Sequence, residues 1–159
     1  MSFSPTPPPY APPPAPPGRT VPFHDHAQIE ILDAPVGLGR ARIPDTLELK
    51  NHLGTVHGGM LFAVGEVTAA AAITRLLGPD ITRLRAITRR GSIEFLKPAR
   101  GAISGAAIIG MSAADITASL ARSPSVDVPI TVELSDDAGV IVAKLQVEWF
   151  VGNPRPPKP

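Results

Sequence analysis

A single carboxylate, Glu66, lies inside an otherwise apolar segment and is the residue of this chain best suited to chemistry. The segment, residues 60–77, has the composition of a buried helix. A mid-helix glutamate ordinarily faces water, but here the carboxylate is desolvated unless a polar group meets it from outside the helix. We interpret Glu66 as a functional or interface-paired carboxylate, and the adjacent Gly65 as a point of close approach by another chain or a ligand. The side chains one helical turn away are all apolar: Phe62, Ala63, Ala69 and Ala70.

The loop before this segment, residues 51–59, suggests a second chemical role. Gly58 and Gly59 stand at the predicted start of the helix, where backbone N–H groups are free and no side chain obstructs them. The helix dipole makes such a position attractive to a negative or polarised oxygen. A thioester carbonyl that becomes an oxyanion during hydrolysis is one such group.

The spacing Asn51-x-x-Gly54-Thr55-x-His57-Gly58-Gly59, followed by Glu66, resembles the signature of hotdog-fold acyl-CoA thioesterases of the phenylacetyl-CoA thioesterase type. The later sequence Phe95-Leu96-Lys97-Pro98-Ala99-x-Gly101 is similar to a strand ending in that family. The resemblance covers about residues 27–151. It implies a hotdog fold and hydrolysis of an acyl-CoA thioester, with no cofactor other than the coenzyme A of the substrate.

The resemblance also implies a role for each matching residue. The Gly58 N–H would polarise the thioester carbonyl, and Asn51 would orient the carbonyl or the attacking water. Glu66 would reach the site of a partner subunit as general base or nucleophile, and Thr88 would position the water. His57 would brace the loop. From the residues alone, simpler interpretations remain open: Asn51 caps a turn, and Thr88 is an ordinary strand threonine.

A basic cluster follows the helix, and coenzyme A carries phosphates that arginine recognises well. Arg89 and Arg90, together with His57 and Gly59 of the loop, form the predicted substrate-binding set. The alternative is a solvated strand edge that discourages aggregation. Nucleic-acid binding is disfavoured because stacking aromatics are scarce here. The cluster comprises Arg75, Arg83, Arg85, Arg89, Arg90, Lys97 and Arg100.

One residue departs from the family pattern. Many members of this type carry aspartate where this chain has Glu66, whereas glutamate is found in other thioesterase branches and in a branch whose substrates are unknown. A predicted second helix at residues 112–122, capped by Ser112, is also similar to that last branch. The longer side chain moves the carboxylate by about one methylene, so function depends most on this position.

Composition limits the remaining possibilities. The 159 residues carry a net charge of +1, which gives no overall attraction to nucleic acid. The absence of cysteine excludes thiolate catalysis and disulfides, and the histidines show no metal-ligand spacing, so we predict no metal. The N-terminal residues lack the pattern of a signal peptide, and the apolar run from Met60 to Ile73 is shorter than a membrane span. We expect a cytoplasmic protein without membrane contact.

The rest of the chain predicts an α+β domain in which an antiparallel sheet wraps around the long helix. The helix ends at Gly78-Pro79, and most strands follow it as a meander. We expect the domain at residues 23–152, a proline-rich disordered tail at 1–22 and a flexible tail at 153–159. A helix apolar on all sides needs more cover than one sheet, so we expect a homodimer or a dimer of dimers. The predicted strands are 27–32, 38–43, 84–96, 102–109, 130–134 and 140–151.

Three other functions compete with hydrolysis. The first is a non-catalytic acyl-CoA or fatty-acyl binding protein with the same fold, in which Glu66 serves only the interface. The second is a hotdog dehydratase or hydratase, which the missing His-Phe-Pro motif disfavours. The third is a scaffold recruited through the proline-rich tail.

Overall fold

The computed structural model describes residues 21–154, which form three helices and one six-stranded sheet. Most of the predicted tails at 1–22 and 153–159 lies outside the described residues. Two short 3₁₀ segments, Leu47–Leu49 and Gly78–Arg83, lie in the connections. The elements in chain order are α1 (Pro22–His26), β1 (Glu30–Leu32), β2 (Leu38–Ile43), α2 (Gly58–Leu77), β3 (Arg85–Phe95), β4 (Ile103–Ile109), α3 (Ala113–Leu120), β5 (Ser125–Ser135) and β6 (Ile141–Gly152).

The sheet is antiparallel throughout and has the strand order β1-β2-β4-β5-β6-β3. The predicted hairpin of β1 and β2 is confirmed, and its turn places Gly37 at a φ of 81°, a left-handed value that favours glycine. The predicted meander holds only for β4, β5 and β6. It is wrong for β3, which pairs with β6 at the far edge of the sheet instead of with β4. One edge of β3 therefore has no strand partner within residues 21–154.

Helix α2 contacts all six strands, so the sheet wraps around it as expected. The helix buries one broad face, which includes Val64, Val67 and Ala71, while Phe62, Ala63, Glu66 and Ala70 are only half-buried. The half-buried residues recur at helical spacing and form one stripe. Glu66 therefore lies on the side of α2 that the sheet of its own chain covers least.

Glycines allow the sheet to come close to α2. A Cβ added at Gly39 of β2 would overlap the Thr68 carbonyl oxygen and lie 2.8 Å from the Ala72 nitrogen. The close approach expected at Gly65 is also present, but the sequence interpretation was wrong about its partner. The Leu145 side chain of β6 in the same chain packs there, and not a second chain or a ligand.

Replacing Gly39 by alanine should destabilise the fold by about 3 kcal/mol, because the added methyl meets helix backbone that has no room to move. The measurement is denaturant unfolding. The matched control is Gly139→Ala, in a turn where φ is 76° and no atom lies within 4 Å of an added Cβ. That change should cost only about 1 to 2 kcal/mol of left-handed backbone strain. Equal losses in the two variants would contradict the close contact between α2 and β2.

The length and composition of residues 58–83 would also suit a membrane span, but the buried core helix of a soluble protein passes the same test. Half of the 18 residues that pass this test are buried inside the protein. This is consistent with the role of α2 as the element on which the sheet packs.

Candidate functional site

The loop before α2 is held in shape by Asn51. Its Oδ1 accepts hydrogen bonds from the backbone N–H groups of Leu53 at 2.9 Å and Thr55 at 3.3 Å, and its Nδ2 donates to the Thr55 hydroxyl at 2.9 Å. Gly54 turns the loop with a φ of 72°. The side chain of Asn51 therefore caps the turn, as the simpler interpretation of the sequence proposed.

His57 is the N-cap of α2, and its Nδ1 accepts a hydrogen bond from the Gly59 N–H at 3.0 Å. The His57 N–H in turn donates to the Leu49 carbonyl at 2.8 Å. Both contacts agree with the bracing role that the resemblance implied. Gly59 uses its own N–H for the cap, so it is not free to bind a substrate oxygen.

Gly58 differs from its neighbours because its N–H makes no hydrogen bond with any described residue. It is the first residue of α2, where an N–H has no intrahelical acceptor and the helix dipole is positive. Its Cα faces the ring of Phe95: an added Cβ would lie 3.2 Å from the ring carbon Cζ. The Gly58 N–H is thus the available backbone donor at the start of the helix.

Gly58 and Asn51 line an open cavity of about 540 Å³ between the loop and the connection from β3 to β4. The connection contributes apolar side chains and two cations, Lys97 and Arg100, neither of which forms an ion pair within residues 21–154. A cavity that combines apolar walls, a free backbone donor and cations suits an acyl ester with an anionic group. The full lining is Asn51, Leu53, Thr55, Val56, Gly58, Leu61, Phe95, Leu96, Lys97, Pro98, Ala99 and Arg100.

The connection keeps its position through backbone contacts with strand β6 and with the loop. The N–H groups of Leu96 and Lys97 both donate to the Val142 carbonyl, at 2.8 and 3.1 Å. Val142 lies next to Ala143, the β6 partner of Phe95, and is also the extra residue where the pairing of β5 with β6 shifts register. On the other side, Val56 donates to the Ala99 carbonyl at 2.9 Å. Both walls of the cavity are therefore tied to the core.

Glu66 is met from outside its helix by Thr88 of β3. The Thr88 hydroxyl donates to Glu66 Oε1 at 2.5 Å, and Oε2 accepts no hydrogen bond from a described residue. The two residues that the resemblance assigned to base and water positioning are thus in direct contact. The carboxylate keeps one oxygen available to accept a proton or a water hydrogen bond.

Glu66 does not line the cavity at Gly58. The two residues are eight positions apart on one helix, a separation of about 12 Å along its axis. A single thioester carbonyl cannot contact both within one chain. The structure therefore separates two half-sites, one at the loop and one at the Glu66–Thr88 pair.

Arg89 and Arg90 lie outside both half-sites. A bulge in β3 leaves Arg89 without a partner on β6, and its guanidinium instead binds both oxygens of Asp127, at 2.9 and 2.8 Å. These hydrogen bonds, with the attraction between the two charges, raise the pKa of Arg89. Arg90 lies opposite Glu148 on the outer sheet face, in a hollow of about 180 Å³. The cations at the cavity are Lys97 and Arg100, which belonged to the predicted cluster but not to the predicted binding set.

No group of three or more His, Asp or Glu side chains in residues 21–154 is arranged to hold a metal ion. At the first half-site, the Nδ1 atom of His57 is used in the helix cap. The groups that the structure places at the two half-sites include a carboxylate, a hydroxyl, a backbone N–H and two cations.

A single antiparallel sheet wrapped around one long helix is the hotdog fold, and solved structures with this fold match the chain over most of its length. PA5026 of Pseudomonas aeruginosa, described as a probable thioesterase, matches with a TM-score of 0.73 and 21% identity, covering 84% of this chain and 88% of that one. The thioesterase SAV0944 of Staphylococcus aureus, in a mutant form, matches with a TM-score of 0.68 and 16% identity, over 82% and 98%. The PaaI protein of the E. coli phenylacetic acid degradation operon matches with a TM-score of 0.64 and 17% identity, over 84% and 87%. At these identities the likeness shows the fold, and it confirms the hotdog prediction.

The sequence also identifies the family. Residues 17–151 match the family described as "domain of unknown function (DUF4442)", and the chain belongs to that family. Among curated proteins, none matches the chain significantly.

Proposed function

We propose that this protein hydrolyses acyl-CoA thioesters. The observation that carries the proposal is the Glu66–Thr88 pair: a carboxylate on the least covered stripe of an apolar helix, held by a hydroxyl and with one oxygen still available. The cavity at Gly58 and the likeness to thioesterases of the hotdog fold support the same reaction.

In the proposed reaction, one half-site binds the carbonyl and the other activates the water. The thioester carbonyl binds at the Gly58 N–H, which stabilises the charge that develops on its oxygen. The free oxygen of Glu66 takes a proton from water as the water oxygen bonds to the carbonyl carbon. The C–S bond then breaks, and coenzyme A leaves as a thiolate that receives the proton. In the alternative mechanism, Glu66 itself attacks the carbonyl carbon and forms an acyl-enzyme. A burst of released thiol before the steady state would distinguish that mechanism from activation of water.

We also propose that the complete site forms between two copies of the chain. Strand β3 carries Thr88 and has an edge without a strand partner in the described chain. Apolar Ile87 and Phe95 on this strand are 62% and 56% exposed. Association along this edge would cover the half-buried stripe of α2 and bring Glu66 of one copy toward the Gly58 loop of the other. Oligomers with two-fold symmetry are the commonest kind.

The test of the activity is a panel of acyl-CoA esters, from acetyl to long-chain and aryl, with released thiol as the readout. The wild-type protein should hydrolyse a subset of the panel. Failure to release thiol from any ester would contradict the proposal.

A second candidate function is binding of an acyl-CoA without hydrolysis. The observation in its favour is that the side-chain oxygen and one side-chain N–H of Asn51 form hydrogen bonds within their own loop. Gly58 is then the free donor at the cavity. Calorimetry with a non-hydrolysable acyl-CoA ether separates the two functions. Binding by a protein that hydrolyses no ester in the panel would favour the binding protein.

Removing the two cavity cations should weaken the recognition of coenzyme A. In the double variant Lys97→Ala, Arg100→Ala, we expect KM for an acyl-CoA to rise about tenfold, because charge-assisted contacts to phosphate are lost. KM for the same acyl group on N-acetylcysteamine, which has no phosphate, should not change. The matched control is the double variant Arg89→Ala, Arg90→Ala, which removes the two arginines that the sequence predicted to bind substrate. A larger rise of KM in the control variant would indicate that Arg89 and Arg90, and not Lys97 and Arg100, bind the phosphates.

A further inference from the structure

Trp149 is the only tryptophan of the chain, and its indole nitrogen has no visible role in the fold. The side chain is 7% exposed, and Nε1 is the one buried side-chain polar atom in residues 21–154 without a hydrogen-bond partner. A buried donor left unpaired costs about 1 to 3 kcal/mol. Such groups are usually paired with ordered water when no protein group serves.

The sheet register places this indole beside the Glu66–Thr88 pair. Trp149 of β6 is the direct cross-strand partner of Thr88 of β3. Both side chains lie on the helix side of the sheet, since Thr88 binds Glu66 of α2 and Trp149 is buried in the core around α2. Opposed side chains on one face of an antiparallel pair have Cβ atoms about 5 Å apart. The register therefore places Trp149, which carries the unpaired N–H, directly opposite the residue that binds the Glu66 carboxylate.

We propose that Trp149 is a positioning residue for Glu66. Its Nε1–H donates to one water molecule, and that water donates to Oε2 of Glu66, while the Thr88 hydroxyl holds Oε1. The two contacts fix the carboxylate plane from opposite sides. The catalytic part of this inference rests on the proposed thioesterase function, whereas the contact itself does not.

The kinetic test uses Trp149→Phe, which removes the N–H and keeps an aromatic ring. We expect kcat to fall about tenfold, because the water that holds Oε2 of Glu66 loses its indole donor, with KM within about twofold of wild type. Because a smaller ring can loosen the core, a second protein replaces this single tryptophan by β-(3-benzothienyl)alanine. That residue keeps the two-ring shape and lacks the N–H. It should show the same fall in kcat with an unchanged thermal midpoint, and wild-type kcat in this protein would overturn the inference.

The contact is tested separately from activity by the single indole cross-peak of the ¹H–¹⁵N spectrum. Glu66→Ala should shift this peak and speed its exchange with solvent. The matched control is Glu148→Ala, the neighbour of Trp149 in sequence, which faces the outer side of the sheet. The control should leave the exchange rate unchanged. An indole peak equally insensitive to both changes would overturn the inference even if thioester hydrolysis is confirmed, and a shift in Glu66→Ala alone would support the contact even if no ester is hydrolysed.

Discussion

Replacing Glu66 by glutamine should lower kcat for acyl-CoA hydrolysis by about 100-fold or more. Glutamine has nearly the shape of glutamate, and its side-chain oxygen still accepts the Thr88 hydroxyl. The change therefore removes the charge and the proton acceptor and leaves the packing of α2 in place. The thermal midpoint should stay close to that of the wild-type protein. The measurement is steady-state thiol release on the best ester of the panel, with thermal unfolding of the same samples.

The control for this prediction is Glu148→Gln, which removes a carboxylate from the outer face of the sheet. That variant should keep wild-type kcat and KM. If Glu66→Gln and Glu148→Gln were equally active, Glu66 would be neither base nor nucleophile. Glu66 would then be an interface residue, as in the acyl-CoA binding alternative.

Replacing Gly58 by proline should lower kcat by about 100-fold, the usual effect of removing one oxyanion donor. Proline has no N–H and is well tolerated at the first position of a helix. The preceding residue, His57, already has φ −62° and ψ 136°, an extended conformation that a following proline favours. The helix start should thus survive while the proposed donor is lost.

The control for this change is Gly58→Ala. Alanine adds the same Cβ against the ring of Phe95, 3.2 Å away, and keeps the N–H. It should lose much less activity than Gly58→Pro. Equal losses in the two variants would mean that crowding at Phe95, and not the missing donor, limits the reaction.

The parts of the fold that depend on local sequence were predictable. Gly78-Pro79 ends α2 as expected, and Ser112 caps α3 by accepting the Asp115 N–H at 3.1 Å. The helix α2 starts at Gly58, as expected, and the His57 side chain caps it. Strand β5 is longer than predicted, since its first residues pair with the end of β6.

The parts that depend on contacts between distant residues were not predictable. Strands that are adjacent in sequence usually pair, so β3 was expected beside β4. Because the sheet wraps around α2, β3 pairs with β6 instead. Arg89 and Arg90 were assigned to substrate binding because they belong to a basic cluster, and that composition does not show the bulge at Arg89 or its ion pair with Asp127. The position of Lys97 depends on the Val142 carbonyl of β6, which accepts the Leu96 and Lys97 N–H groups across a long separation in sequence.

The sequence predicted which residues belong to the candidate site more fully than it predicted how those residues are arranged. Glu66 and Thr88 are brought together, and Asn51, His57 and Gly58 share one loop. The resemblance supplied these residues, while the separation of Gly58 from Glu66 follows from helix geometry alone. Sequence offered no signal for the unpaired nitrogen of Trp149, because its surroundings depend on the pairing of β3 with β6.

The central claim, a thioesterase site built from two copies of the chain, is tested most directly by co-expressing Glu66→Gln with Gly58→Pro under different affinity tags. Each mixed dimer carries one site with both changes and one site with neither. Random pairing should therefore restore about a quarter of wild-type activity, and purified mixed dimers about half. Both parent variants alone should remain nearly inactive. Mixed dimers no more active than the parents would place the loop and the carboxylate in one chain's site and contradict the account.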